Sequence, residues 1–477
     1  MSNDIYENPL CVRYASDEMK HVYSADVKFR TWRRLWIALA EAERELGLDI
    51  TEAQIAELRA HAEDIDYQKA AAYESALRHD VMAHIRTYAD ACPTAGGIIH
   101  LGATSCYVGD NTDIIVMRDA LHIIRRKLIN CVAALAEFAE KYKNTPTLAY
   151  THFQAAQPTT AGKRATLWIS DLMSDLERLD FELGSLRLLG CKGTTGTAAS
   201  FLELFEGDHT KVKKLDSLIA EKMGFSCCVP VSGQTYSRKV DYNVLSVLSG
   251  IAQSAAKFSN DIRLLSHLKE FDEPFEPGQV GSSAMAYKRN PMRSERIASL
   301  SRYVMLDVVN PAITAATQWF ERTLDDSANR RISIPEAFLA TDAILSLYIN
   351  VISNGTLYPN MMKRHLDEEM PFMATENILM YCVSKGGDRQ VLHEAIRRHS
   401  VATARRIKLE GGDNDLLEQI VSDPAFGLTR EELDRVMEDS VFTGRAAEQT
   451  TEYLDECVRP MLAANRDELG LNVEIKV

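Results

Sequence analysis

Residues 279–291 form the segment whose residue types are best suited to chemistry. The segment reads Gln-Val-Gly-Ser-Ser-Ala-Met-Ala-Tyr-Lys-Arg-Asn-Pro, with Ser282 near its start and Lys288 and Asn290 near its end. A Gly/Ser loop with exposed backbone N–H groups and a nearby cation is suited to holding an anion. The same composition is typical of a mobile surface loop, so the residue types alone leave both interpretations open.

Three further polar segments, distant from this loop in the sequence, also carry groups that could act in a site. Thr104 and Ser105 would ordinarily occupy a turn or cap a helix. The polar segment 151–159, which we interpret as a loop, contains His152, and an unperturbed pKa of ~6.5 lets a histidine donate a proton near neutral pH. In the helix-like run 78–80, His79 stands beside Asp80, where a histidine is most often a hydrogen-bonded structural residue.

Several common kinds of site are excluded by spacing. The sequence has no His-x-x-x-His motif and no Cys/His cluster at zinc-binding intervals. The stretch 193–196, Gly-Thr-Thr-Gly, is too short for a P-loop and lacks its Lys-Ser/Thr end. No nucleophile elbow of the Gly-x-Ser-x-Gly type surrounds Ser282. We therefore expect no metal and no cofactor.

The loop at 281–290 resembles the Gly-Ser-Ser-x-Met-Pro-x-Lys-x-Asn signature of the fumarase/aspartase superfamily. With the following residues 291–296, Pro-Met-Arg-Ser-Glu-Arg, it is most similar to the adenylosuccinate lyase branch. Ala286 stands where the family usually has proline, and we expect a looser loop because proline restricts φ. Motifs in family order extend the resemblance over almost the whole chain.

This resemblance implies a β-elimination that breaks a C–N bond to a succinyl group and releases fumarate. It implies Ser282 as the general base, with an alkoxide stabilised by loop N–H groups and Lys288. His152 would be the general acid, and His79 would support the substrate phosphate or the acid. The implied substrates belong to purine biosynthesis: adenylosuccinate, which gives AMP, and the succinylated aminoimidazole carboxamide ribotide.

The resemblance also implies a set of substrate-binding residues from distant parts of the chain. Arginine suits this role because its guanidinium makes bidentate contacts with phosphate and carboxylate, although each arginine taken alone would be a surface ion-pair partner. The set comprises Arg13, Tyr14, Arg78, Asp80, Thr104, Ser105, Thr151, Gln234, Asn290, Arg296, Arg322, Ser327 and Arg331.

Other functions within and outside this reaction class compete with that interpretation. Argininosuccinate lyase and aspartase belong to the same superfamily, but the arginines of 288–296 and the Arg78-His79-Asp80 motif favour a phosphorylated substrate. A catalytically silent structural relative, as some lens crystallins of this superfamily are, is the alternative of a different class. It is disfavoured because His152 and Ser282 are both present.

Length and composition are those of an ordinary globular protein. The chain has 477 residues, of which 46% are hydrophobic and 26% charged. A net charge of −14 argues against nucleic acid or an anionic membrane as a partner, so an anionic ligand needs a local basic cluster. Nine cysteines without Cys-x-x-Cys spacing, and residues 1–7 without signal-peptide character, predict a cytoplasmic protein.

Long helices must position these segments. Apolar residues at alternating intervals of three and four predict helices over 113–142, 160–189, 237–268 and 334–352. A fifth helix begins at Ser294 and should kink at Asn310-Pro311. The pattern is that of helices packed nearly antiparallel in a bundle, and their wide apolar stripes predict assembly with other subunits.

The predicted fold is therefore all-α with three domains. They are an N-terminal helical domain at 1–104, a central long-helix bundle with the catalytic loops at 105–357, and a C-terminal helical domain at 358–477. The one alternating, strand-like run of more than a few residues is 471–477. The resemblance further implies a homotetramer with a core built from the central bundles, whose active sites each draw on three chains.

Overall fold

The computed structural model describes residues 4–439 and 442–475. Within these residues, helices make up nearly all of the regular structure, and the strands form two short antiparallel pairs. This confirms the predicted all-α fold class. The prediction about the N-terminal segment includes residues 1–3, which lie outside the described residues.

Five helices precede the bundle. The longest of them buries Trp32, Leu35, Trp36 and Leu39 along one face, because these residues recur every three or four positions. It ends just before Gly47, whose φ of +97° is favourable only for glycine. The five are α1 (Asp17–Val22), α2 (Ala25–Glu45), α3 (Glu52–Ala60), α4 (Tyr67–Leu77) and α5 (Asp80–Ala91).

The central bundle contains the longest helices and most of the core. Its elements are α6 (Ser105–Tyr142), α7 (Ala161–Ser185), α8 (Ala199–Leu204), α9 (His209–Lys222), α10 (Lys239–His267), α11 (Met292–Asp307), α12 (Val309–Thr317) and α13 (Asp326–Asn354). Helices α6, α7, α10, α11 and α13 pack against one another, as predicted. Inside the bundle, Phe258 stacks on Tyr348 with ring centroids 3.8 Å apart and meets Trp168 edge-on. By length and composition α13 is apolar enough to cross a membrane, and 83% of its most apolar window is buried within the fold.

Three helix boundaries differ from the prediction by four residues or more. Helix α6 begins at Ser105, eight residues earlier than expected, since Cys106, Tyr107 and Val108 are all buried and leave no amphipathic pattern to read. Helix α13 also begins earlier, at Asp326. Helix α7 ends at Ser185, and the chain beyond it is extended. The 160–189 prediction was therefore too long at its end.

The break in the fifth bundle helix lies at Val308, between α11 and α12, and not at Asn310-Pro311. Proline has no N–H to donate to the carbonyl four residues earlier, and its ring clashes with that carbonyl. For Pro311 the carbonyl belongs to Asp307, the last residue of α11. The proline therefore acts one turn before its own position.

Most of segment 151–159, expected to be a loop, belongs to a β-hairpin. Strand β1 (Pro146–Thr151) pairs antiparallel with β2 (Gln154–Thr160), and the register shifts between Leu148 and Tyr150. The second strand pair, β3 (Phe271–Asp272) and β4 (Thr356–Leu357), joins the segment that follows α10 to the segment that follows α13. The hairpin was not predicted, because its strands do not alternate between polar and apolar residues.

The remaining helices form a second, smaller core and then return to the bundle. They are α14 (Pro359–Met373), α15 (Thr375–Ser384), α16 (Arg389–Glu410), α17 (Leu416–Ser422), α18 (Arg430–Asp439), α19 (Ala446–Tyr453) and α20 (Arg459–Ala464). The second core runs from Ala374 to Val436, whereas Leu454 and Val458 belong to the core of the bundle. The domain limits at 104/105 and 357/358 stay a prediction.

The predicted strand at the end of the chain is wrong for its described part. Residues 471–475 form no strand, and residues 476 and 477 lie outside the described residues. Leu471 donates its N–H to Asn130 Oδ1 of α6 at 3.0 Å, and Leu471, Val473 and Ile475 pack on the bundle core. The alternating pattern thus reflects an extended segment that packs on helices.

Candidate active site

Nine of the predicted site residues line one cavity of about 740 Å³. The cavity lies where α2, the junction of α4 and α5, and the N-terminal ends of α6 and α13 meet. The nine residues are Arg78, His79, Asp80, Thr104, Ser105, Gln234, Arg322, Ser327 and Arg331. The fold therefore brings together residues that are as many as 253 positions apart, from Arg78 to Arg331.

The junction between α4 and α5 positions His79. Arg78 ends α4 in the left-handed region with a φ of 54°, so segment 78–80 is a sharp joint and not the helical run expected from the sequence. His79 caps α5, with Nδ1 accepting the N–H of Met82 at 3.3 Å. In the neutral ring the proton is then on Nε2, which lies 3.3 Å from Ser105 Oγ. His79 and Ser105 thus form one hydrogen-bonded unit at the cavity wall.

Ion pairs hold the cavity wall, and of their residues only Asp113 is not buried within the described part of the chain. Arg238 binds Asp110 through two nitrogens, at 2.9 and 3.2 Å, and binds Asp326 at 2.7 Å. Arg330 binds Asp241 at 2.6 Å and Asp113 at 2.9 Å. Burial raises the pKa of Asp110, although Arg238 counteracts this. These pairs tie α6, α10 and α13 together and so fix Ser105 relative to Ser327.

Arg322 and Gln234 meet at a buried thiol. The guanidinium of Arg322 contacts Cys106 Sγ, and Gln234 Oε1 lies 3.8 Å from the same sulfur. Burial raises the pKa of Cys106 to about 12, so the group is a neutral thiol at physiological pH. The N–H of Gln234 donates to the carbonyl of Glu321 at 3.1 Å, which joins the loop before α10 to the loop before α13.

The loop at 278–291 holds Ser282 with backbone donors. Ser282 Oγ accepts hydrogen bonds from the N–H groups of Met285, at 3.1 Å, and Ala284, at 3.4 Å. Donors aimed at an oxygen favour its charged form. Asn290 Nδ2 donates to the carbonyl of Gly281 at 2.9 Å and closes the loop, while Lys288 is exposed.

Gly281 is required at the closing contact of this loop. A Cβ added there would lie 2.3 Å from the carbonyl oxygen of Lys288, closer than side chains approach in real structures. Glycine is therefore needed because two stretches of backbone approach each other, not because of its own φ.

The base of the loop borders a second cavity of about 530 Å³, lined in part by Asn290 and Arg296. The guanidinium of Arg296 lies 5.5 Å from the ring centroid of Tyr14, and burial lowers the pKa of Arg296. Arg13 and Tyr14 belong to a short π-helical turn, Leu10–Tyr14. Glu273 accepts the N–H groups of Arg293 and Ser294 and so caps α11, which anchors the end of the loop.

Thr151 and His152 lie at a third place, the tip of the β1–β2 hairpin. Thr151 pairs with Gln154, which leaves His152 and Phe153 as a two-residue turn with φ values of 53° and 57°. Positive φ is unusual for a residue as bulky as phenylalanine, and such strain is concentrated at functional sites. Both turn residues are exposed. Within one chain the candidate acid, the candidate base and the 740 Å³ cavity are thus three separate features.

Sequence reasoning missed several residues of the larger cavity. Lys28 lines it, together with Glu74 and the ion-paired Asp113. Lys28 immediately precedes Phe29 and lies one helical turn before Trp32, so a charge beside the apolar face of α2 was the available signal. Among residues 4–439 and 442–475, no group of three or more His, Cys, Asp or Glu side chains is arranged to hold a metal ion.

Comparison with protein families gives two matches. A family model described as "Lyase" matches residues 13–306, and one described as "Adenylosuccinate lyase C-terminus" matches residues 371–453. The chain is 51% identical to adenylosuccinate lyase of Schizosaccharomyces pombe over 461 residues, which cover 96% of each chain. It is also 51% identical to the enzyme of that name from Saccharomyces cerevisiae, over 98% of this chain and 99% of the other.

Comparison with solved structures gives the same fold. The 3-carboxy-cis,cis-muconate lactonizing enzyme of Pseudomonas putida superposes with a TM-score of 0.80 at 22% identity, over 95% of this chain and 99% of the other. A fumarate lyase from Mesorhizobium sp. BNC1 superposes with a TM-score of 0.79, also at 22% identity, over 94% and 99% of the two chains. At this identity the likeness concerns the three-domain helical architecture alone.

Proposed function

Since the chain belongs to the adenylosuccinate lyase family of the fumarase/aspartase superfamily, and is therefore a C–N lyase, we propose that it serves purine biosynthesis with two substrates. It cleaves adenylosuccinate to AMP and fumarate, and it releases fumarate from the succinylated aminoimidazole carboxamide ribotide. The observation that carries this proposal is the pair of backbone donors on Ser282 Oγ, because they favour the alkoxide that a serine base requires.

In the proposed reaction Ser282 Oγ removes a proton from the succinyl carbon next to a carboxylate. The electron pair of that C–H bond forms the C=C bond of fumarate as the C–N bond breaks, and His152 protonates the departing nitrogen. Lys288 and Asn290 hold the carboxylate on which negative charge develops. One proton is taken and one is given, so the overall reaction is balanced.

The nucleotide part of the substrate fits the larger cavity. At about 740 Å³ it lies within the usual range for small-molecule sites. Arg78, Arg322 and Arg331 supply guanidinium donors for anionic groups, and His79 with Ser105 supplies further hydrogen-bonding groups. Gln234 and Ser327 belong to the same wall. In this proposal the cavity binds the nucleotide, and the two segments that carry His152 and Ser282 break the C–N bond.

We also propose a cytoplasmic homotetramer whose active sites are shared between subunits. The hairpin tip with His152, the loop with Ser282 and the larger cavity lie apart within one chain, so a complete site requires that other chains supply some of them. Exposed apolar residues on and after α11 and α12 support an interface there, since such patches are uncommon on monomers. They are Leu306, Ile313, Trp319, Phe320 and Leu324.

A direct assay tests the proposed activity. Purified protein is mixed separately with adenylosuccinate and with the succinylated ribotide, and fumarate is identified as a product by mass spectrometry or with a coupled dehydrogenase. We expect fumarate from both substrates and AMP from the first. Release of fumarate from argininosuccinate but from neither nucleotide would overturn the proposal.

A subunit-mixing experiment tests the shared site. His152→Gln and Ser282→Ala proteins, each inactive, are mixed after partial denaturation and reassembled. If acid and base come from different chains, some sites in the hybrids have both residues intact, and random assembly restores up to roughly a quarter of full activity. No recovery, with hybrid tetramers confirmed by native mass spectrometry, would mean that both residues come from one chain.

A further inference from the structure

Lys28 of α2 is a half-buried lysine in the wall of the larger cavity. Its Nζ lies 5.0 Å from the ring centroids of both Phe29 and Trp32, so its ammonium is held against an aromatic surface. Within the part of the chain that the structure describes, Lys28 forms no ion pair with Asp or Glu. A cation that is held but unpaired at a cavity wall is an arrangement that needs an anion.

Burial and a neighbouring cation both disfavour the charged form of Lys28, which strengthens the case for an anionic ligand. Burial is the main cause that lowers its pKa, and the charge of Arg331 is the next. Asp80, Asp113 and Glu74 act in the opposite direction and do not cancel these effects. Two cations that repel each other across a partly desolvated wall are stabilised when a negative group comes between them.

The ion pairs of the cavity show which of its cations are available to such a group. Arg238 and Arg330 are each paired with two aspartates, and Arg331 lies 3.5 Å from Asp80. Among the described lining residues, three cations form no ion pair, namely Lys28, Arg78 and Arg322, while Glu74 is the corresponding acid. The cations without an ion pair therefore outnumber the acid without one, and they are available to bind an anionic group such as the phosphate of a nucleotide.

We propose that Lys28 is a substrate-binding residue, and that its ammonium and the Arg331 guanidinium bind the phosphate of the nucleotide substrate. This rests on the proposed function and deepens it, because it places the phosphate end of the substrate beside α2. Lysine suits this contact as a compact point charge, and its position over Phe29 and Trp32 limits its rotamers before the substrate arrives.

The test compares substrates with and without the phosphate. Lys28→Met keeps the length of the aliphatic chain and removes the charge. We expect the KM for adenylosuccinate to rise about tenfold or more with little change in kcat. The reason is that the charge-assisted contact to the phosphate is equally strong in the bound substrate and in the transition state. Succinyladenosine, the same molecule without phosphate, should inhibit the wild type and the variant with equal inhibition constants. Calorimetry with AMP should show the same weakening as the KM.

Two matched variants distinguish binding from folding. Lys28→Arg keeps the cation and should raise the KM by less than Lys28→Met does, although its guanidinium is larger than the ammonium. Arg30→Met removes a cation two residues away on the same helix, one that is exposed and paired with Glu63 at 2.9 Å, and should leave the KM unchanged. Melting temperatures are measured for all three, and Lys28→Gln replaces Lys28→Met if the methionine variant is unstable.

The outcomes separate this inference from the proposed function. Absence of adenylosuccinate cleavage by the wild type would overturn the proposed function. If the wild type is active, equal weakening of adenylosuccinate and succinyladenosine by Lys28→Met would mean that Lys28 contacts the succinyl or adenosine part, or supports the fold, and would overturn the phosphate assignment. An unchanged KM would overturn it as well.

Discussion

The larger cavity and the Ser282 loop are built by different means. Ion pairs between buried side chains form the cavity wall, as in Arg238 with Asp110 and Asp326, whose side chains are 1–6% exposed. The loop is held by hydrogen bonds within itself, and the ion pair of its Arg289 with Asp272, at 3.7 Å, leaves Arg289 55% exposed. Binding therefore has a pre-formed frame, whereas the candidate base lies on a segment with few outside contacts.

This contrast gives the two regions different tasks. A wall tied to three long helices keeps its shape when the substrate leaves, which lowers the cost of binding again. A loop with few outside contacts opens and closes at small cost, which allows entry of the substrate and exclusion of water during the reaction. Changes in the loop should therefore affect turnover more than binding, and changes in the wall should affect stability.

Ser282→Ala should give the largest effect. It removes the candidate base and leaves the cavity wall intact, so turnover should fall roughly 10²–10⁴-fold or more while the dissociation constant for AMP changes little. Stopped-flow absorbance with adenylosuccinate and calorimetry with AMP measure the two quantities. Ser283→Ala, at the exposed neighbouring serine, is the matched control and should keep most of the activity. Near-wild-type turnover by a well-folded Ser282→Ala protein would remove Ser282 from the mechanism.

Arg238→Met should have the next largest effect, on stability. It leaves the buried carboxylates of Asp110 and Asp326 without their cation, and the free energy of unfolding should fall by about 3–5 kcal/mol. Arg289→Met in the loop breaks only an exposed pair and should cost less than about 1 kcal/mol. Urea unfolding followed by circular dichroism compares the two variants. Equal losses of unfolding free energy in the two variants would mean that the ion pairs of the cavity wall stabilise the protein no more than the exposed ion pair of the loop.

Helix positions were predictable wherever one face of a helix is buried. Helices α7 and α10 follow their apolar repeats closely. The start of α6 was missed because Cys106, Tyr107, Val108 and Asn111 are buried on several sides, so burial there has no helical period. The hairpin was missed because its turn, His152-Phe153, has none of the Asn-Gly or Gly-x residues that usually mark such turns.

The candidate site residues were found through their motifs, while their grouping required the fold. Nothing in the spacing of Gln234 or Arg322 indicates that both lie beside Cys106, since that contact depends on how two loops meet. Lys28 was missed for a different reason. A lysine on an amphipathic helix is normally solvated, and only the cavity reveals that this one is half-buried beside Arg331.

Glu43→Gln tests how a buried carboxyl group without a partner, unlike the paired charges of the cavity wall, makes stability depend on pH. Glu43 of α2 is fully buried, neither carboxyl oxygen has a hydrogen-bond partner among the described residues, and burial raises its pKa to about 9. Between the unfolded value, ~4.3, and 9 the folded state keeps a proton that the unfolded state releases, so raising the pH favours unfolding by up to about 1.4 kcal/mol per pH unit. Glutamine has no proton to lose there and should flatten this dependence.

Melting temperatures measured from pH 5 to 9 test this expectation. The advantage of Glu43→Gln over the wild type should grow steadily with pH. Glu41→Gln on the same helix removes a carboxylate that is paired with Arg59, and it should keep the wild-type slope. A wild-type slope that Glu43→Gln leaves unchanged would show that Glu43 already ionises in the folded protein.

The geometry of the Ser282 loop makes Ala286 a favourable position for the proline that the family usually has there. The N–H of Lys288 donates to the carbonyl of Met285 at 3.0 Å, so residues 285–288 form a turn with Ala286 as its second residue. Proline is favoured at that position because its fixed φ matches the turn. Within the described residues the N–H of Ala286 donates no hydrogen bond, so proline removes none.

Ala286→Pro should therefore have the smallest effect. It should stabilise the closed loop by about 0.4–1 kcal/mol, because proline restricts the conformations of the open loop. Activity should stay close to that of the wild type, and limited proteolysis without substrate should cut the loop more slowly. Gly281→Ala is the opposing control, because its Cβ would lie 2.3 Å from the Lys288 carbonyl oxygen and should open the loop to cleavage. Substrate should slow cleavage of the wild-type loop, so that its cleavage rate comes closer to that of the proline variant. If the natural loop is cut no faster than the proline variant in the absence of substrate, then Ala286 does not loosen it, and the mobility expected from that residue is wrong.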